Sequence, residues 1–136
     1  MKLTIHTDGG ARGNPGPAGI GVVYTLGEWS QGYEQYIGHA TNNVAEYTAV
    51  KEALRLLPEQ VVNLSQVKEI HFYLDSQLVV RQITGVYKIK EPSLQQLCLQ
   101  IKELIRHYQL PVHFNHVPRA ENAAADKLVN HALDNA

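Results

Sequence analysis

An α/β fold built on a five-stranded mixed sheet is predicted by three observations. Three β-prone runs follow one another near the start with only short links between them. Two further β-prone runs are separated by stretches whose apolar residues recur at helical spacing. The chain has 136 residues and is 44% hydrophobic, which suits one domain with a core of its own. Short links favour an antiparallel meander, whereas helical crossovers return later strands in parallel, so the sheet is antiparallel in its first three strands and parallel beyond them.

The first strand is expected over residues 3–8, with Leu3 and Ile5 on one face. Residues 18–26 and 29–37 read as the second and third, joined by a turn at Gly27-Glu28. Thr41-Asn42-Asn43 supplies helix-start residues, and the helix is expected to run to about Leu57, where Pro58 stops it. A connector over residues 59–66 leads to a fourth strand at 67–75, in which Ile70, Phe72 and Leu74 share a face. Ser76 suits the cap of a short helix ending near Gly85. After a linker over 86–92, Ser93 is expected to cap a longer helix to about Tyr108, with Leu94, Leu97, Ile101, Leu104 and Ile105 as its apolar stripe. A fifth strand over 111–117 and a last helix from Ala120 or Glu121 to Asp134 complete the order βββαβααβα, read as one domain over residues 1–136.

Composition narrows the function classes. A net charge of −1 argues against a protein that coats nucleic acid by bulk charge, though not against a local cationic track. The lone cysteine, Cys98, rules out an internal disulfide and reads, between Leu97 and Leu99, as a small core residue. No apolar run reaches membrane-spanning length, so no membrane role is expected. Met1-Lys2-Leu3-Thr4 lacks a secretion-signal core, which points to the cytoplasm.

Chemistry gathers on four acids. Asp8 precedes Gly9-Gly10-Ala11-Arg12-Gly13-Asn14-Pro15-Gly16-Pro17, read as a thin, stiff loop that a phosphate backbone can approach closely. A plain Gly/Pro hairpin with Asp8 at its shoulder is the alternative. Glu46 stands in the first turn of the first long helix, with Val50, Ala53 and Leu57 following at +4, +7 and +11. Favourable placement in the helix dipole explains an acid there but not its inward direction. Asp75 ends the fourth strand, where either ligand binding or capping of the next helix would use it. Asp126 shares the packing stripe of the last helix with Val129 and Leu133, or pairs with Lys127 or a nearby arginine. Four such carboxylates brought together would repel and raise each other's pKa. Divalent cations remove that conflict, and an all-oxygen ligand set suits Mg²⁺ or Mn²⁺. Two such ions about 4 Å apart activate water and stabilise the leaving oxygen of a phosphodiester.

Thr7-Asp8-Gly9-Gly10, Gly13-Asn14-Pro15-Gly16-Pro17, Thr41-Asn42-Asn43-Val44-Ala45-Glu46, Leu74-Asp75-Ser76-Gln77 and Glu121-Asn122 followed by Ala125-Asp126 occur in this order. Together they closely resemble type 1 ribonuclease H over essentially the whole chain. The resemblance implies a ribonuclease H-like fold, with cleavage of the RNA strand of RNA–DNA hybrids to leave 5′-phosphate and 3′-hydroxyl ends. It implies two Mg²⁺ ions with substrate, or Mn²⁺ in their place, held by Asp8, Glu46, Asp75 and Asp126. Asn14, Asn42 and Gln77 then look like readers of base edges and sugar hydroxyls in the minor groove, since amides both donate and accept. Thr41 and Asn43 resemble a pocket for a DNA-strand phosphate, although they also suit helix capping.

Lys88 and Lys90 read as phosphate contacts, with Arg12 and Arg81 as weaker candidates. Some relatives carry an extra basic helix in this region, and Gly85 and Ser93 are too close in sequence to hold one. Arg119 stands where many relatives have a loop histidine. Arginine cannot act as a base near neutral pH, but it can hold a phosphate oxygen. His116 suits a strand position better than a catalytic one, and none of the seven histidines is assigned to catalysis. A hybrid-binding module without turnover, a DNA-cutting nuclease or resolvase, and a domain cut from a reverse transcriptase remain as alternatives to a free-standing monomeric enzyme with no obligate protein partner.

Overall fold

The computed structural model describes residues 1–136. Five strands, β1 (Lys2–Ala11), β2 (Gly16–Leu26), β3 (Trp29–Ala40), β4 (Glu69–Leu74) and β5 (Val112–His116), form one sheet in the order β3-β2-β1-β4-β5. β1 pairs antiparallel with β2 and parallel with β4, and β4 is parallel to β5. The helices are α1 (Asn42–Arg55), a single turn α2 (Leu57–Gln60), α3 (Gln77–Ile83), α4 (Pro92–Tyr108) and α5 (Ala123–Asp134). No helix is long and apolar enough to cross a membrane. The expected mixed sheet is therefore present, with its change of direction at β1.

Alternation along the strands divides the two faces. Leu3, Ile5, Val22, Tyr24, Ile70, Phe72 and Leu74 are buried with Tyr47, Val50, Ala53 and Leu54 of α1 and with Leu94, Cys98 and Ile101 of α4, which makes one core. Cys98 is a buried free thiol, as its apolar neighbours suggest. Tyrosine hydroxyls satisfy carbonyls at the end of α1: Tyr24 donates to Ala53 O at 2.7 Å and Tyr108 to Leu54 O at 2.6 Å. The opposite face of β1 and β2 is covered by α5.

Several boundaries differ from expectation for local reasons. β1 does not end at Asp8; it continues through Gly9 and Gly10 because both still pair with β2, as far as Ala11 opposite Ala18. β3 runs on to Ala40 past an irregularity, where Ile37 falls between the pairs Gly38–Ala18 and Tyr36–Gly19 and Gly38 takes φ +82°. Pro58 ends α1 but opens α2, where its missing N–H is no loss. Glu91 rather than Ser93 is the N-cap residue of α4, because Pro92 occupies the first helical position. Between α3 and α4 there is no further helix.

Two glycines set how closely the helices approach the sheet. A Cβ on Gly9 would lie 2.3 Å from the carbonyl carbon of Ala45 in α1, and one on Gly21 would lie 2.2 Å from Ala125 O in α5. A Cβ on Gly10 would meet only Asn42 and Val129, at 3.9 Å. Gly9→Ala or Gly21→Ala is therefore expected to destabilise by about 3 kcal/mol or more, because backbone must move, whereas Gly10→Ala changes stability by less than about 1 kcal/mol. Urea unfolding of the three variants measures this contrast; equal losses at all three positions would contradict it.

Candidate active site

The acids meet where the sheet opens. β1 and β4 pair only as far as His6 and Tyr73, and beyond that point the ladder between them stops. Asp8 follows on β1, and Asp75 is the first residue after β4. This is the topological switch of the sheet, the region outside parallel strand ends where α/β folds bind ligands. Capping of α3 belongs to Ser76, whose Oγ accepts from Val79 N at 3.3 Å, so Asp75 is free of that duty.

Glu46 arrives from one face of the sheet and Asp126 from the other. Because Gly9 has no side chain, the backbone at Ala45 and Glu46 rests directly on β1, beside Asp8. Glu46 is the fifth residue of α1, not in its first turn, so dipole placement does not account for it. Asp126 follows Ala125, which lies on Gly21, and Gly21 is the register partner of Asp8 on β2. The two close approaches thus deliver two carboxylates to the same end of β1.

One oxygen from each of Asp8, Glu46 and Asp75 lies within 4.8 Å of the others. Asp126 borders the same cavity, close enough to Asp8 for its charge to raise the Asp8 pKa. All four border an open cavity of about 460 Å³, with Arg119, Asn42, Ser76 and Asn130 also on its walls. Asp8 is only 7% exposed. Burial raises its pKa well above the ordinary carboxylate range, and the charges of Asp75 and Asp126 raise it further. Glu46 is raised too, by burial first and then by Asp8 and Asp75, with Arg119 opposing weakly. A site that holds protons this tightly carries more negative charge than its own cations neutralise. Its donors are all carboxylate oxygens, which suits a hard divalent cation.

The remaining residues singled out by the sequence sit around this centre in different ways. Asn14 Oδ1 accepts from Asn42 N at 3.0 Å, and Asn42 Oδ1 accepts from Ala11 N at 2.8 Å. These bonds lash the turn after β1 to the start of α1 and leave both Nδ2 groups to donate outward. Thr41 does cap α1, its Oγ1 accepting from Val44 N at 3.1 Å. Gln77 is the exposed first residue of α3. Asn43, Lys88 and Lys90 share a second hollow with Tyr87 and Glu91. Arg81 is spent on Tyr87, donating to its hydroxyl at 2.5 Å. Arg12 differs most from expectation: it pairs with Asp134 at 2.7 Å and reaches Asn130, so the guanidinium is engaged by the end of α5. Arg119 is 83% exposed and stands 3.9 Å from Asp126. His116 ends β5 and is exposed, away from the cavity.

The spacer role of Gly21 and the cavity positions of Ser76 and Asn130 are not evident in the sequence. A glycine in a β-prone run opposite an acid was the only signal available for the first.

The raised acids fix the sign of a pH effect. Their folded pKa lies above the unfolded value, so their stabilising contribution is complete below about pH 4 and is lost as pH rises toward alkaline values. Metal-free protein is therefore expected to be destabilised at pH 9 relative to Asp8→Asn by about 1–3 kcal/mol, with the gap closing toward pH 4. Urea unfolding with a chelator present measures it, and a gap that does not change with pH would contradict the raised proton affinity of Asp8.

The family model described as reverse transcriptase-like matches residues 6–132. The bifunctional protein Rv2228c of Mycobacterium tuberculosis is 42% identical over 98% of this chain and 36% of its own length, so the chain spans about a third of that relative. The crystal structure of RNase H1 from Halobacterium salinarum superposes with TM-score 0.86 at 37% identity, covering 100% of both chains. LC11-RNase H1, isolated from compost and determined in complex with an RNA/DNA hybrid, gives TM-score 0.87 at 44% identity over 98% of this chain and 97% of its own. With its mixed sheet, its acids at the opening of that sheet and these relatives, the chain belongs to the type 1 ribonuclease H family.

Proposed function

We propose that this protein is an endonuclease that hydrolyses the RNA strand of RNA–DNA hybrids, leaving 5′-phosphate and 3′-hydroxyl ends. The observation that carries the proposal is the convergence of Asp8, Glu46 and Asp75 within 4.8 Å, with Asp126 against Asp8, on an open cavity. The likeness to LC11-RNase H1, determined with a hybrid bound, supports the substrate class.

Asp8, Glu46, Asp75 and Asp126 would hold two Mg²⁺ ions, or Mn²⁺ in their place. Bound there, such ions supply Lewis-acid stabilisation of the phosphodiester oxygens and of the water that attacks. The chain's own residues do the rest. Arg119 at the cavity mouth holds a phosphate oxygen; its guanidinium stays charged at working pH and takes no proton from water. The outward Nδ2 groups of Asn14 and Asn42, with Gln77, donate to base edges and sugar hydroxyls in the minor groove, where the 2′-hydroxyl distinguishes RNA. Thr41 can cap α1 and bind phosphate at once, since accepting from Val44 leaves its own hydroxyl proton to donate. Asn43, Lys88 and Lys90 grip the DNA strand in the second hollow. Arg12 contributes only after leaving Asp134, so its role is the smallest.

Incubation of labelled hybrid, duplex RNA and duplex DNA with Mg²⁺ tests the proposal. Hybrid alone is expected to be cut in its RNA strand, and Asp8→Asn is expected to lower the rate by roughly 10³-fold or more. Binding without cleavage would assign the chain as a hybrid-binding module, and cleavage of duplex DNA with hybrid spared would move it to another substrate. Arg119→Ala is expected to slow turnover by roughly tenfold or more while metal affinity is kept; an unchanged rate would remove Arg119 from the mechanism.

A further inference from the structure

Asn122 and Thr7 are the two most deeply buried polar residues that the proposed mechanism does not use. Asn122 is 1% exposed and lies in the short turn that leads into α5. Its Nδ2 donates to the carbonyl of Thr7 at 2.9 Å, across 115 residues of sequence. Thr7 is the first residue of β1 beyond the last β1–β4 pair, His6–Tyr73, and the last before Asp8. Asn122 therefore reaches into the opening of the sheet and bonds the strand at the point where its parallel neighbour has stopped pairing. Four residues further on is Asp126, which borders the same cavity as Asp8. One amide thus fixes the start of α5 against the residue beside Asp8.

Burial of this side chain is not explained by hydrogen bonding alone. Its Oδ1 is buried and has no partner. An unpaired buried acceptor destabilises, and an apolar residue of similar size would avoid that loss. What only a donor of this reach provides is the tie to Thr7.

We infer that Asn122 is a positioning residue, whose bond to the Thr7 carbonyl sets the separation of Asp8 and Asp126 and so the affinity of the four-acid site for divalent cations. The inference rests on the metal-dependent nuclease reading. Groups that orient metal ligands from outside the ligand set typically alter affinity or activity by about 10–100-fold when removed. Asn122 lies outside the acids themselves and does not line the cavity that they border.

The test uses the full chain with two substitutions. Asn122→Ala removes the donor, and Asn122→Asp keeps the shape while replacing the donor with an oxygen, so it decides the matter if the alanine variant does not fold. Mn²⁺ binding is followed by electron paramagnetic resonance without substrate, and hybrid cleavage is followed as kcat and KM. The expected result is Mn²⁺ affinity lowered about tenfold or more, with kcat lowered by a similar factor and KM within about twofold of the parent. A lower melting temperature with Mn²⁺ affinity and kcat both within twofold of the parent would make Asn122 merely structural and overturn the inference. A rise in KM with kcat unchanged would overturn it as well. If the parent chain binds Mn²⁺ but cuts no hybrid, the nuclease reading fails, and the Mn²⁺ titration alone still decides the role of Asn122.

Discussion

Mutual repulsion among the acids at the open end of β1 is the constraint on which the rest of the structure depends. Two unit charges 4.8 Å apart repel by on the order of 3 kcal/mol at an effective dielectric near 20. Three ionised acids make three such pairs, which is comparable with the whole stability of a typical domain, about 5–15 kcal/mol. The folded chain therefore favours a proton on Asp8 or Glu46, or bound cations in its place. The raised proton affinity of Asp8 and Glu46 is the first solution, and occupancy by dications is the second. Function follows from the second, because a hollow that attracts dications at the mouth of a cavity also presents them to a phosphate backbone.

The fold meets this constraint with spacers as much as with ligands. Gly9 and Gly21 lie on neighbouring strands, and each accepts a different helix backbone at a distance that no Cβ would allow. Through them, α1 and α5 bring Glu46 and Asp126 to Asp8 from opposite faces. Asn122 adds a tie from the start of α5 to Thr7. On the substrate side, the bonds from Asn42 N to Asn14 Oδ1 and from Ala11 N to Asn42 Oδ1 hold the turn after β1 against α1, so the amide donors are rigid before any ligand arrives.

Much of this was legible in the sequence, because it rests on periodicity and on a few residue types. The inward stripe Glu46, Val50, Ala53 and Leu57 placed an acid on a packing face, and the structure joins that acid to Asp8 and Asp75. Ser76 as a cap, Cys98 in the core and the missing helix before α4 were readable from local chemistry. What was not legible depended on tertiary distances. Gly9 and Gly10 read as loop because glycine marks turns, yet pairing with β2 keeps them in the strand. Arg12 read as a cation for phosphate, and only the fold shows Asp134 within 2.7 Å of it. Glu46 lies in the second turn of α1 rather than the first, because helix boundaries are the least determined feature of a sequence.

Proton release on metal binding tests the central claim most directly. Calorimetric titration of Mg²⁺ into metal-free protein near neutral pH, repeated in buffers of different ionisation enthalpy, counts the protons exchanged. If the nest of acids is neutralised by protons until dications replace them, binding releases about one proton per chain, and the release falls toward zero in Asp8→Asn. Saturable Mg²⁺ binding with no proton release in the parent chain would show that the acids were already ionised side by side, and would contradict the account.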